Sequence, residues 1–195
     1  MSLGRPRSFD RDIALQKMLS VFWSKGYVAA QLADLTRAAG IAAPSFYAAF
    51  GSKEEAFREA VSLYIATVGA EPMRVLEAEG DLRTNLQAML RASVDVALQQ
   101  PPGGCLLILG AIECSKDQQA PQMLLQEARK LTRSLIHARL ERAREQGELP
   151  PKTDVARGAA FLHGIMQMIS FQARDGATRA ELEGLIPLAM TAFGR

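Results

Sequence analysis

The sequence is poor in the groups that perform covalent or metal chemistry, with two cysteines and two histidines among 195 residues. Cys105 and Cys114 stand nine positions apart. On a continuous helix that is about 900° of rotation and ~13 Å of rise, which turns them to opposite faces, beyond disulfide reach. Buried, unreactive thiols are expected, with a sensor pairing thiols between molecules as the alternative. His137 and Glu141 form the one histidine–carboxylate pair at i, i+4 spacing, fewer ligands than a metal site uses. His163 lies in an otherwise apolar stretch, where a hydrogen-bonded core or interface histidine is the commoner reading and a ligand contact the rarer one. No glycine-rich phosphate loop, G-x-S-x-G, H-E-x-x-H or carboxylate cluster occurs. The expectation is a protein that is not an enzyme and takes no metal or cofactor.

Other shortages narrow the class further. The longest uninterrupted apolar run, Cys105 to Ile112, is far short of the ~20 residues that span a bilayer. No secretory signal is visible, so a chain with two cysteines is expected in a reducing cytoplasm, with no membrane partner. A net charge of +2 is too small to make the whole molecule a polyanion binder, so any nucleic-acid surface must be local. Residues 1–53 supply one, with Arg5, Arg7, Arg11, Lys17, Lys25, Arg37 and Lys53 against Asp10, Asp12 and Asp34. No alternating strand pattern and no repeat is found.

What is present is helical periodicity, backed by 48% apolar residues, enough for a sizeable core. The most informative stretch runs from Leu32 to Lys53. Leu32, Leu35, Ala38 and Ala39 share one helix face, and Gly40 follows as the residue best suited to a left-handed helix end. Pro44 sits near the first turn of a second short helix, where its missing N–H does no harm. Phe46, Tyr47 and Phe50 form an aromatic spine that leaves Ala43, Ser45, Ala48 and Ala49 as a small-residue outer surface. Two short helices across a glycine turn describe a helix-turn-helix, whose second helix can enter a DNA major groove.

Three segments, FWSKGY (Phe22 to Tyr27), LADLTRAAGI (Leu32 to Ile41) and PSFYAAFGSKEEAF (Pro44 to Phe57), together resemble the N-terminal domain of tetracycline-repressor (TetR) family transcriptional regulators. The resemblance covers roughly residues 9 to 57. The chain departs from it at Ala30-Gln31 and at Ala42, where the family often carries a hydroxyl residue.

The fold expected is all-α. A three-helix, helix-turn-helix DNA-binding domain over residues 1–53, with a basic arm at 1–8, passes through a linking helix at 53–70 into a helical ligand-binding and dimerisation domain at 71–195. Ser52 is expected to open the linking helix as a capping box with Glu55, and the Gly69 to Pro72 region to break it. Later helices are expected from Gly80-Asp81, across Cys105 to Ile112, over Gln122 to Gln146 with Leu124, Ala128, Leu131, Leu135 and Ala138 buried, over Val155 to Ala173, and over Arg179 to Phe193.

On the DNA-binding reading, Ala42, Ala43, Ser45 and Ala49 face base edges, close enough for contact with thymine methyls. Tyr47 and Lys53 match the phosphate-binding tyrosine and lysine of the family. Lys25 and Arg37 add nonspecific attraction, and Arg5 and Arg7 could carry shape readout. The resemblance further implies a homodimer joined by the last two helices of each chain. Ala159, Leu162, Ile165, Met166, Ile169, Leu185, Leu188 and Ala189 would form that interface. It also implies an effector pocket, for which Met89, Leu90, Leu107, Ile108, Ala111, Phe161 and Met168 are candidates, with a hydrophobic or aromatic effector. The expected function is a ligand-responsive, homodimeric repressor of a double-stranded DNA operator. The alternative is a small-molecule-binding helical bundle without sequence-specific DNA binding.

Overall fold

The structure is a computed structural model that describes residues 9–99, 101, 103–111 and 119–193. Ten α-helices and no strand occur among them, so the chain is all-α. α1 (Arg11–Ala29) starts under Asp10, whose carboxylate accepts from the Asp12 and Ile13 N–H groups at 2.9 and 3.1 Å. Two of the donors that a helix start leaves free are thereby satisfied. The helix is interrupted at Gly26 and resumes to Ala29. Gly26 takes φ 73°, ψ 173°, a region held essentially by glycine alone, and the interruption lets Tyr27 N–H donate to Gly110 O at 2.6 Å. A Cβ on Gly26 would stand 3.2 Å from that carbonyl. Gly26→Ala is expected to cost about 1–3 kcal/mol, read as a lowered thermal midpoint. An unchanged melt would show that this junction is not held in solution.

α2 (Leu32–Ala39), α3 (Ala43–Phe50) and α4 (Lys53–Ala66) complete the head. Its core is apolar and aromatic. Phe57 meets the rings of Phe22 and Tyr27, each at 5.0 Å, and Met18, Leu35, Phe46 and Phe50 are buried with them. Ser52 caps α4 by accepting from Glu55 N–H at 3.1 Å. The expected reciprocal half of that box is replaced, because Ser52 N–H donates to Phe50 O at 2.9 Å.

The body holds α5 (Glu71–Leu76), α6 (Leu82–Leu98), α7 (Leu106–Leu109), α8 (Gln119–Glu145), α9 (Val155–Arg174) and α10 (Arg179–Met190). The break after α4 falls at Thr67, whose φ −120°, ψ −103° leaves the helical region, while Pro72 lies in the first turn of α5. Asp81, Asp154 and Thr178 cap α6, α9 and α10. Among the described residues, the expected helix from Cys105 onward is Leu106–Leu109, with Cys105 as its cap. The spacing expected between Cys105 and Cys114 depends on Cys114, which lies outside the described residues.

α8 is buried one position away from the expected row. Leu125, Ile136, Arg139, Leu140 and Ala143 face inward, whereas Leu131 is 56% and Leu135 37% exposed. Each residue step turns a helix by 100°, so this shift moves the buried stripe by more than a quarter turn. Leu86, Met89, Leu90, Ile136, Leu140, Leu162 and Ile186 make the centre of the body's core. No helix among the described residues is long and apolar enough to cross a membrane.

Candidate nucleic-acid interface and effector cavity

The turn between α2 and α3 is closed by backbone alone. Gly40 adopts the left-handed conformation (φ 69°, ψ 33°), and Ile41 N–H donates to Thr36 O at 3.0 Å. With Gly40 N–H donating to Arg37 O at 3.2 Å, this bond satisfies carbonyls that the end of α2 would otherwise leave bare. Ala42 caps α3 without a side-chain bond, and Pro44 occupies the first turn. Phe46 and Phe50 are buried beneath the helix at 0% and 3% exposure. The opposite face carries Ala42, Pro44, Tyr47 and Ala48 in the open, with Ala43, Ser45 and Ala49 half-buried along its flanks. Arg11 fastens the far end of α3. Its guanidinium donates to Ala49 O at 3.2 and 3.3 Å, pairs with Glu59 at 2.6 Å, and lies 4.6 Å over the Phe50 ring.

The expected basic residues are placed unequally. Lys53 begins α4, with its Nζ 4.5 Å over the Tyr27 ring and 3.5 Å from Val28 O. Lys25 pairs with Asp34 at 2.9 Å, while Arg37 remains 79% exposed with Asp34 at 4.0 Å. The Lys25 hydrogen bond, then the Gln31 N–H, holds the Asp34 carboxyl below its usual range. The stabilisation this pairing supplies is present above the usual carboxylate range, and it is lost as pH falls through the depressed value. Arg5 and Arg7 lie outside the described residues.

The head is bolted to the body around α7. Trp23 Nε1–H donates to Gly104 O at 2.6 Å, which places this tryptophan in the core. Arg174, near the end of α9, donates to Gly103 O at 2.7 Å, Ser24 O at 3.0 Å and Trp23 O at 3.3 Å. Beside this junction a cavity opens between α4, α5, α6, α7, α8 and α9, with about 40 Å³ for the centres of water-sized molecules. That is room for about three waters. Its polar wall holds Tyr64, Ser93, Cys105, Arg129, Thr132, His163 and Ser170, and its apolar wall includes Val96, Leu107, Ile108 and Met166. Tyr64 OH donates to Cys105 Sγ at 3.1 Å, and Cys105 N–H donates to Ser170 Oγ at 2.7 Å. Burial pushes both the Tyr64 hydroxyl and the Cys105 thiol upward, so both remain protonated. Burial first, then the charges of Arg129 and Arg133, lowers His163 and keeps its imidazole neutral.

Comparison with known proteins now decides the family. Residues 82–184 match the family described as tetracyclin repressor-like, C-terminal domain, and residues 15–60 match bacterial regulatory proteins, tetR family. Over 192 residues the chain is 35% identical to the HTH-type transcriptional repressor ComR of Escherichia coli (strain K12), covering 97% of this chain and 90% of that protein. The chain belongs to the TetR family of transcriptional regulators. It is also 28% identical over 181 residues to the HTH-type transcriptional repressor BdcR of the same organism, covering 92% and 86% of the two chains. A solved structure of the TetR family regulator CifR, a cysteine mutant complexed with 26-base-pair double-strand operator DNA, superposes with a TM-score of 0.93. It is 37% identical and covers 97% of this chain and 100% of that one.

Within this TetR fold, several expected body sites move. Of the candidate effector contacts, Leu107 and Ile108 line the cavity. Met89 and Leu90 are fully buried in the body core, because Ser93 and Val96, further along α6, are the residues that reach the cavity. Ala111 faces a different recess, beside Gly26 and Arg174. Phe161 is 41% exposed, and Met168 is half-buried away from the cavity. Met166, expected at the dimer interface, lines the cavity instead. Ala159, Leu162, Ile169 and Ala189 are buried at 0–2% exposure inside the protomer and have no surface left to offer a partner. Ile165 and Leu185 are half-buried and Leu188 is 70% exposed, alongside Phe161 and Phe171.

Sequence reasoning missed Arg129, Tyr64 and Arg174 as contributors. The signal for Arg129 was available in hindsight. It falls in the α8 row of Leu125, Thr132 and Ile136 rather than in the row of Leu131 and Leu135. Arg174 leaves no such trace, since all three of its acceptors are backbone carbonyls distant in sequence.

Proposed function

We propose that the chain is a homodimeric transcriptional repressor that seats α3 in the major groove of a double-stranded DNA operator and leaves it when a small effector fills the cavity. The observation that carries this reading is the two-faced α3, anchored by Phe46 and Phe50 and open along Ala42, Tyr47 and Ala48. An apolar, side-chain-poor face with no internal partner suits close approach to base edges. Ala42, Ala43, Ser45 and Ala49 are the proposed base contacts. Tyr47, 53% exposed, and Lys53, at the first turn of α4, are the proposed phosphate contacts. Arg37 and Lys25 add attraction, and the arm with Arg5 and Arg7 is assigned to the same DNA. The relative CifR was solved on operator DNA, which favours this reading over a ligand-binding bundle without DNA activity.

The head-to-body hydrogen bonds explain how a filled cavity would reach the DNA. The wall residues Tyr64 and Cys105 are bonded to each other, and α7 continues to Gly110, which holds α1 at its Gly26 break. An effector acts only by its differential affinity for the two head arrangements. The regulatory role assigns no catalysis to the chain, and the proposed compartment is the cytoplasm. Residues 1–53 are proposed as the DNA-binding unit, with the linking helix at 53–70 and the effector and dimerisation unit at 71–195.

The test is salt-titrated binding to DNA from upstream of the chain's own gene. Affinity is expected to fall steeply as salt rises, through release of counterions from contacted phosphates. Tyr47→Phe and Lys53→Ala are each expected to weaken binding across all sequences by about 1.5–3 kcal/mol, as loss of one charge-assisted bond does, while the melt of the body stays in place. Equal affinity in both variants removes the phosphate assignments. Salt-independent binding removes the DNA reading.

A further inference from the structure

The cavity has a charge that an apolar effector would not use. Arg129 enters it from α8 and commits one guanidinium nitrogen to Leu107 O at 2.6 Å. Among the described residues it has no carboxylate partner. His163 stands in the same cavity and makes no hydrogen bond to a described protein group. The nearby hydroxyls of Ser93 and Thr132 spend their hydrogens on the backbone carbonyls of Met89 and Ala128, at 2.8 and 3.1 Å. Free donors thus converge from Arg129 and His163, while Val96, Leu107 and Met166 close the rest with hydrocarbon.

A half-buried cation without a counter-charge is costly, and an anion delivered beside it relieves that cost. A guanidinium also presents a planar fork that matches a carboxylate with two parallel hydrogen bonds. We propose that the effector is a small monocarboxylate with a short aliphatic body, its carboxylate held by Arg129 with His163 beside it and its body against Val96, Leu107 and Met166. This deepens the ligand-responsive reading above and rests on it. The Cys105 sulfur accepts from Tyr64 OH at 3.1 Å, and the binding proposed is non-covalent.

Trp23 supplies the readout. It is the single tryptophan of the chain, and it lies edge-on to the cavity residue Tyr64 at 4.9 Å. Full-length protein is titrated with acetate and propionate, and in parallel with acetamide and propionamide, following Trp23 fluorescence. Each carboxylate is expected to bind at least tenfold more tightly than its amide. Arg129→Gln is expected to bring the two within about twofold, and Arg129→Lys, which keeps the charge but not the fork, to fall between. Should Arg129→Gln fail to fold, the wild-type ratio and Arg129→Lys decide. Amides binding as tightly as carboxylates, no saturable change with either carboxylate, or unaltered propionate affinity in the variants overturns the proposal. So does a response confined to iodoacetamide, with the mass gain on Cys105. Sequence-specific DNA binding without carboxylate binding overturns this inference alone. Carboxylate binding by a protein that ignores DNA sequence keeps the carboxylate site but overturns the regulator reading, and with it the effector role.

Discussion

Phe46→Ala is expected to lower the stability of the head by about 3–5 kcal/mol, the usual cost of emptying a buried phenylalanine site. For a chain of this size that corresponds to a fall of roughly 6–20 °C in thermal midpoint. The ring is fully buried and lies 5.7 Å from Phe50 and 5.6 Å from Tyr47. α3 has eight residues and no side-chain cap, and an isolated helix of that length does not hold in water. Its position is therefore set by the two phenylalanines beneath it and by Arg11 at its end. Operator affinity should fall more than the melt alone implies, because a loosened α3 must be ordered again on the DNA. Scanning calorimetry and DNA titration on one preparation check both parts. A midpoint within 3 °C of the parent would mean that something other than Phe46 seats the helix.

The same local economy explains why the head was readable in advance and the body was not. In the head, each signal lies within a few residues of what it governs. Gly40 turns α2 into α3, Pro44 fits the first turn, and Phe46 and Phe50 fall one helical turn apart on the buried side. In the body, the deciding contacts come from far along the chain. α8 is apolar on more than one side, and the row of Leu131 and Leu135 competes with the row of Leu125, Ile136 and Leu140. Periodicity alone weighs those rows nearly equally, and packing against α9, α4, α7 and α5 selects between them. α9 presents the same ambiguity, which sent Ala159, Leu162 and Ile169 inward and left Phe161 and Phe171 outside. The cavity was the least legible part. Its lining comes from six helices, and its cation breaks the rule that charges on an amphipathic helix point to water.

Leu188→Glu is expected to convert the protein to monomers and, through that, to abolish selective operator binding. Leu188 is 70% exposed on α10, close in character to Phe161 at 41% and Phe171 at 48% on α9. Large apolar side chains gathered on two neighbouring helices are the mark of a surface that meets a partner. Full burial of a leucine is worth about 1.5–3 kcal/mol. A two-fold interface contains each residue twice, so losing both leucines removes roughly 3–6 kcal/mol and raises the dimer dissociation constant on the order of 10² to 10⁴-fold. The introduced carboxylates add the cost of placing charge in an apolar contact. Since paired heads reach paired half-sites, the monomer should keep only weak, salt-sensitive attraction to DNA of any sequence. Ile13→Glu serves as the comparison, for Ile13 is 51% exposed on α1 of the head and is expected to leave the oligomeric state untouched. Sedimentation equilibrium of both variants reads the result. A Leu188→Glu protein that remains dimeric would move the interface to the other exposed apolar row, that of Leu131 and Leu135 on α8.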